Sequence, residues 1–194
     1  SVEVTADGAH AVTFGEWDPD VPSGRSLRVW SLATGEVFDV PRFPGRNDDA
    51  VLSPDGRSLA VMTCRGSVHL IDLATRVSRD LRPATGRREG EAYCPNSMAF
   101  SSDGARLAAE SGQAAVDVID VARATVIASV GDPQDGSITD IEFVDGDTRL
   151  WLLTRRGLSS WRASGGDRRP LFENHAGPPR AGRTADARTP VVAE

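Results

Sequence analysis

Three histidines and two cysteines are the side chains best suited to chemistry in this chain of 194 residues. His10 falls in a turn, His69 in an apolar strand and His175 in a tail, and no spacing ties any of them to a nucleophile. No Gly-x-Ser-x-Gly elbow, His-Glu-x-x-His, Gly-x-Gly-x-x-Gly or phosphate-binding loop occurs. All 22 basic residues are Arg, so Schiff-base, pyridoxal-phosphate and phosphate-loop Lys chemistry are excluded. Cys64 and Cys94 form neither a Cys-x-x-Cys nor a metal spacing. They are expected as two reduced thiols of a cytoplasmic protein, with a disulfide as the alternative. No catalytic residue, metal site or cofactor is nominated.

The acidic and basic side chains suggest contacts rather than catalysis. Glu16-Trp17-Asp18-Pro19-Asp20 places a Trp beside three carboxylates on a Pro-stiffened insertion, a candidate interface anchor. Calcium binding through Asp18 and Asp20 matches no known loop spacing, and Asp132-Pro-Gln-Asp-Gly136 lacks the distal Glu of a calcium loop, so it reads as a polar turn. Arg65, Arg87, Arg88, Gln113, Arg155 and Arg156 fall between strands, where loops display side chains to a partner. Charge is uneven: residues 102–147 carry a net −8, residues 148–193 a net +6, and the whole chain −6. That acidic total argues against nucleic acid as the partner. No apolar run reaches the roughly 18 residues needed to span a bilayer.

The elements that position these residues come from a repeat. Val4-Thr-Ala-Asp-Gly-Ala-His-Ala11, Leu52-Ser-Pro-Asp-Gly-Arg-Ser-Leu59, Phe100-Ser-Ser-Asp-Gly-Ala-Arg-Leu107 and Phe143-Val-Asp-Gly-Asp-Thr-Arg-Leu150 align, with starts spaced by 48, 48 and 43 residues. Asp7-Gly8, Asp55-Gly56 and Asp103-Gly104 sit midway, and Gly supplies the positive φ of a hairpin turn. A β-branched run follows each hairpin, then a second turn and a shorter strand. The unit therefore has four antiparallel strands, and no segment carries a sustained helical period. The third strand is apolar on both faces, with Val68, Leu70 and Leu73 interleaved with Ile71. Trp30, Trp151 and Trp161 fall on strands and are expected in the core.

A strand buried on both faces requires sheets stacked on sheets. Four-stranded units at this period describe an all-β, β-propeller architecture. Ser53-Pro-Asp-Gly-Arg-Ser-Leu-Ala60 followed by Arg65-Gly-Ser-Val-His-Leu-Ile-Asp-Leu-Ala-Thr75 resembles a bacterial WD-repeat blade. Asp55 to Asp72 and Asp103 to Asp120 are both separated by 17 residues, whereas Asp7 to Ser31 spans 24 because of the insertion. Asp72 and Asp120 recur at one place per blade, so they are read as turn-holding groups rather than ligands. The Gly-His dipeptide of the family is missing, and no His stands where the family's His–Ser/Thr–Trp–Asp network needs it.

Blades are expected at about 1–41, 49–83, 97–131 and 138–173, with a flexible Pro/Gly/Arg-rich tail at 174–194. A usual ring of seven blades needs about 300 residues. The chain opens inside what reads as a strand, Ser1-Val2-Glu3-Val4. Three forms stay open: part of a longer propeller, an eight-bladed ring from two copies, or a closed ring of four. The resemblance implies a protein-interaction or sensing scaffold that presents rim loops, as the regulatory part of a larger bacterial protein. The alternative is a hydrolase-associated or catalytic propeller with its active site in the channel or on another domain.

Overall fold

The structure is a computed structural model that describes residues 2–5, 7–17, 25–41, 43–44, 47–84, 94–95, 97–112, 114–173, 180–182 and 191–193. The chain divides into two compact units, Ser1–Asn96 and Ser97–Glu194. Each unit contains two four-stranded antiparallel sheets whose strands follow one another in chain order.

In the first unit one sheet consists of β1 (Val2–Val4), β2 (His10–Trp17), β3 (Arg25–Ser31) and β4 (Val37–Asp39). The other consists of β5 (Asn47–Leu52), β6 (Ser58–Thr63), β7 (Val68–Asp72) and β8 (Ser78–Arg82). In the second unit the sheets are β9 (Met98–Phe100), β10 (Arg106–Gly112), β11 (Ala115–Asp120) and β12 (Thr125–Gly131), then β13 (Ile138–Val144), β14 (Arg149–Thr154), β15 (Gly157–Arg162) and β16 (Arg169–Glu173). A 3-10 turn, Pro133–Asp135, lies between β12 and β13. It is capped by Asp132, whose side chain accepts from the Gln134 amide at 2.9 Å. Where composition gave no periodicity, β17 (Arg180–Gly182) and β18 (Val191–Ala193) pair as a two-stranded ribbon. Among the described residues no helix is long and apolar enough to cross a membrane.

Packing follows from the doubly apolar strands. In the first unit Val12, Leu27 and Val29 join Leu59, Val61 and Ile71 of the adjoining sheet in one buried cluster. In the second, Val116 and Val118 meet Ile141, Phe143, Leu150, Leu152 and Trp161. Side chains of this size contribute about 1.5–3 kcal/mol each when fully buried, so the sheets are held chiefly through their faces. Of the three Trp residues expected in the core only Trp161 is buried. Trp30 and Trp151 are half-buried, and the Trp30 indole N–H donates to Thr13 Oγ1 at 2.9 Å.

Three of the four hairpin turns between first and second strands share one circuit. Ser53 Oγ donates to Asp55 at 2.6 Å, the same carboxylate accepts from the Arg57 amide at 3.1 Å, and the Ser58 amide donates back to Ser53 Oγ at 2.9 Å. Thr5, Asp7, Ala9 and His10 repeat this, as do Ser101, Asp103, Ala105 and Arg106. These hydroxyl donors hold the Asp7, Asp55 and Asp103 carboxyls below the usual carboxylate range. Gly8, Gly56 and Gly104 all have φ of 68–69°. The fourth turn departs: it has no hydroxyl two residues before Asp145, and Asp147 instead accepts from the Ser102 amide at 2.9 Å.

The two glycine turns of the first unit differ in their surroundings. A Cβ at Gly8 would meet nothing within 4 Å, whereas one at Gly56 would stand 3.1 Å from Thr5 Cβ. Both substitutions carry the strain of positive φ, about 1 kcal/mol. Urea unfolding of the full chain is therefore expected to show a loss near that value for Gly8→Ala and a distinctly larger one for Gly56→Ala. Equal losses would mean that Thr5 yields without cost.

Candidate interaction sites at the second-to-third strand turns

In a sheet of four consecutive antiparallel strands, the turn between the second and third lies at the end where the chain enters and leaves. Three of the Arg residues read from the sequence lie at that end, each within its own sheet. Arg65 lies in the β6–β7 turn, and Arg155 and Arg156 form the β14–β15 turn. Glu16 and Trp17 close β2, but their side chains, like Asp18, Asp20, Arg87, Arg88 and Gln113, lie outside the described residues. Asp72 and Asp120 end β7 and β11. They accept from the Thr75 and Arg123 amides at 2.7 and 2.8 Å, which lowers both carboxyls. Each thereby bonds the turn that follows its own strand.

The β6–β7 turn, Cys64-Arg65-Gly66-Ser67, is restrained from several sides. Cys64 and Cys94 form a disulfide, so the expectation of two reduced thiols is corrected. Their Cα atoms stand 4.5 Å apart, a separation that only the folded chain creates from residues 30 apart in sequence. The buried Arg82 donates through Nε and Nη2 to Gly66 O at 3.1 and 2.8 Å. Thr63 Oγ1 and Ser67 Oγ are 2.6 Å apart, Ser67 Oγ and His69 Nε2 3.0 Å, and His69 Nδ1 and Asp80 Oδ1 2.7 Å.

The direction of this chain follows from its ends. The Asp80 carboxylate only accepts, so His69 Nδ1 carries the proton and Nε2 accepts from Ser67. Ser67 has spent its one proton, so Thr63 donates to it. Phe43, from the connection between β4 and β5, stacks on the imidazole with centroids 3.8 Å apart. Sequence reading placed His69 in an apolar strand and missed this network. The signal available was a His among apolar residues with hydroxyls six and two positions before it.

Burial pushes the His69 imidazole below its ordinary value of 6.5, against the opposing hydrogen bond and charge of Asp80.

The β14–β15 turn borders a cleft of about 300 Å³. Its lining includes the ion pair in which Arg168 Nη2 stands 2.8 and 3.0 Å from the two oxygens of Asp135. Asp135 is only 5 % exposed. The Arg168 guanidinium also lies 6.0 Å from the Trp161 ring centre, and the Trp161 indole N–H donates to Ser159 Oγ at 3.0 Å. Arg156 and the apolar Leu158, Pro170 and Phe172 also line it. Asp135 and Arg168 were not among the sequence-derived candidates, because 33 residues separate them. Among the described residues no group of three His, Cys, Asp or Glu side chains is placed to hold a metal ion.

No protein-family model matches the sequence, and no curated protein matches it. Solved structures do: 1261 chains match. One, described as the C-terminal WD40 domain of Sif2, superposes with a TM-score of 0.68 at 18 % identity, over 96 % of this chain and 49 % of that one. The chain thus spans about half the length of that solved chain. The likeness shows the fold, a β-propeller of WD40-like four-stranded antiparallel blades.

His69 gives a pH test of the turn. The unfolded chain takes up a proton near pH 6.5, while the folded chain resists it, so stability falls as pH drops through that value and levels off once the folded imidazole protonates. His69→Gln is expected to remove this part of the pH dependence between about pH 7.5 and 5. Thermal melts of both proteins across that range check it; parallel slopes would sink the assignment.

Proposed function

We propose that the protein is an interaction scaffold whose second-to-third strand turns, each within its own unit, bind partners. The observation that carries this reading is the restraint of the β6–β7 turn. The disulfide, the Arg82 guanidinium and the Thr63–Ser67–His69–Asp80 chain all act on one short segment that bears Arg65. A turn held this way loses little conformational entropy when a partner docks. A regulatory role within a larger bacterial protein is the finer form of the same reading, drawn from the WD-repeat resemblance. The cytoplasmic setting was inferred from free thiols and loses that support once they are bonded. The bonded pair favours an oxidising compartment.

Ring closure belongs to this proposal. Val2 and Val4 on the edge strand β1 are 62 % and 55 % exposed. Together with the half-length match to the solved WD40 domain, this supports a ring completed by further blades or by a second copy. A hydrolase reading would draw on Ser67, His69 and Asp80, whose spacings are those of a nucleophile, base and orienting acid. We do not adopt it, because Ser67 is 6 % exposed and its oxygen is already engaged by Thr63.

Binding is tested by recovering proteins from the source cell on the immobilised full chain. Three baits are compared: wild type, Arg65→Ala/Arg155→Ala, and a control altered at the opposite turns, Arg57→Ala/Arg123→Ala. The expected result is one partner set retained by wild type and control and depleted about fivefold or more by the first variant. Equal recovery on all three would overturn the proposal. Light scattering of the same preparation reads closure: a particle of one 20.6 kDa chain would remove the second-copy form.

A further inference from the structure

The cleft beside the β14–β15 turn has unspent hydrogen-bonding capacity. Arg168 engages Asp135 through Nη2 alone. Its Nε and Nη1 hydrogens have no partner among the described residues, nor does the guanidinium of the exposed Arg156. A guanidinium that is already oriented, here by a buried carboxylate and an indole face, is a low-entropy receptor for a planar oxyanion. Charge selects which oxyanion. Asp132 and Asp135 both line the cleft, so a dianion such as phosphate meets two carboxylates, whereas a single carboxylate meets spare donors at lower repulsion. Leu158, Pro170 and Phe172 add apolar side chains to the lining, and Phe172 is 46 % exposed. The volume, about 300 Å³, is at the small end for a binding pocket and accommodates one or two side chains.

We propose that this cleft is a subsite for an acidic peptide, in which Arg168 and Arg156 receive an Asp or Glu carboxylate while Leu158, Pro170 and Phe172 take the adjacent apolar side chain. The proposal rests on the reading of this end as the binding surface and names the chemistry of the partner segment. Asp135 is a positioning residue: it fixes Arg168 and does not touch the peptide.

The probe is a blocked hexapeptide, Gly-Ser-Glu-Leu-Ser-Gly, titrated to about 5 mM into the isotope-labelled full chain and followed by NMR, since isolated short peptides bind such subsites in the millimolar range. Shifts are expected at the Gly157 and Leu158 amides and the Trp161 indole N–H. The peptides with Gln for Glu, or Ala for Leu, are expected to bind about tenfold more weakly or worse. Arg156→Gln is expected to weaken binding, and Arg168→Gln/Asp135→Asn to abolish it. The double variant leaves no unpaired buried carboxylate, so its folding does not depend on the lost ion pair.

No shift in wild type, or equal affinity for the Glu and Gln peptides, would overturn the proposal. So would inorganic phosphate producing the same shifts at the same affinity. Peptide shifts at Arg65 and Gly66 instead would overturn the cleft assignment while leaving the wider binding surface standing. Binding at the cleft combined with undiminished partner recovery on Arg65→Ala/Arg155→Ala would separate the two the other way.

Discussion

The constraint on which the structure depends is that its central strands are apolar on both faces. Val61 and Met62 on β6 are adjacent and point to opposite sides of their sheet, yet both are fully buried. So are Leu107 and Ala108 on β10. A single sheet with such strands would expose a greasy face, at about 25 cal/mol for every Å² left in water. Stacking sheet against sheet removes that cost, and in each unit the buried cluster spans two sheets.

Stacking leaves the hairpin ends to be organised locally. At the first-to-second strand turns this is done by a small circuit of hydroxyl, carboxylate and backbone amide, repeated at Thr5, Ser53 and Ser101. The hydroxyl two residues before each Asp was visible in the repeat, but its role was not, because it depends on the amide five residues on closing back to it. The fourth turn lacks the hydroxyl and uses Asp147 to reach Ser102 of the neighbouring sheet. The two local bonds of that hydroxyl are absent there, and Asp147 accepts two bonds from the Ser102 amide and hydroxyl instead.

The opposite ends show the contrary logic. There the connections between sheets meet the second-to-third strand turns, and residues far apart in sequence come together: Cys64 with Cys94, Phe43 with His69, Asp135 with Arg168. These ends are held by long-range contacts, and they carry the Arg side chains and the cleft. Rigid walls with spare donors are what a binding surface needs, and the partner chemistry proposed for the cleft follows from the donors left over after its own ion pair.

The sequence by itself determined the blades. Alternation, Asp-Gly turns and a period near 48 residues are local properties of covalent neighbours, and strand, turn and sheet order follow from them. It also marked Asp72 and Asp120 as turn residues, because their partners lie three residues away. Only the tertiary structure decided the disulfide, the direction of the His69 chain, the partial exposure of Trp30 and Trp151, and the cleft. Each depends on distances between segments that no local pattern encodes, since any strand face of the right polarity could have met the same neighbours until the sheets stacked.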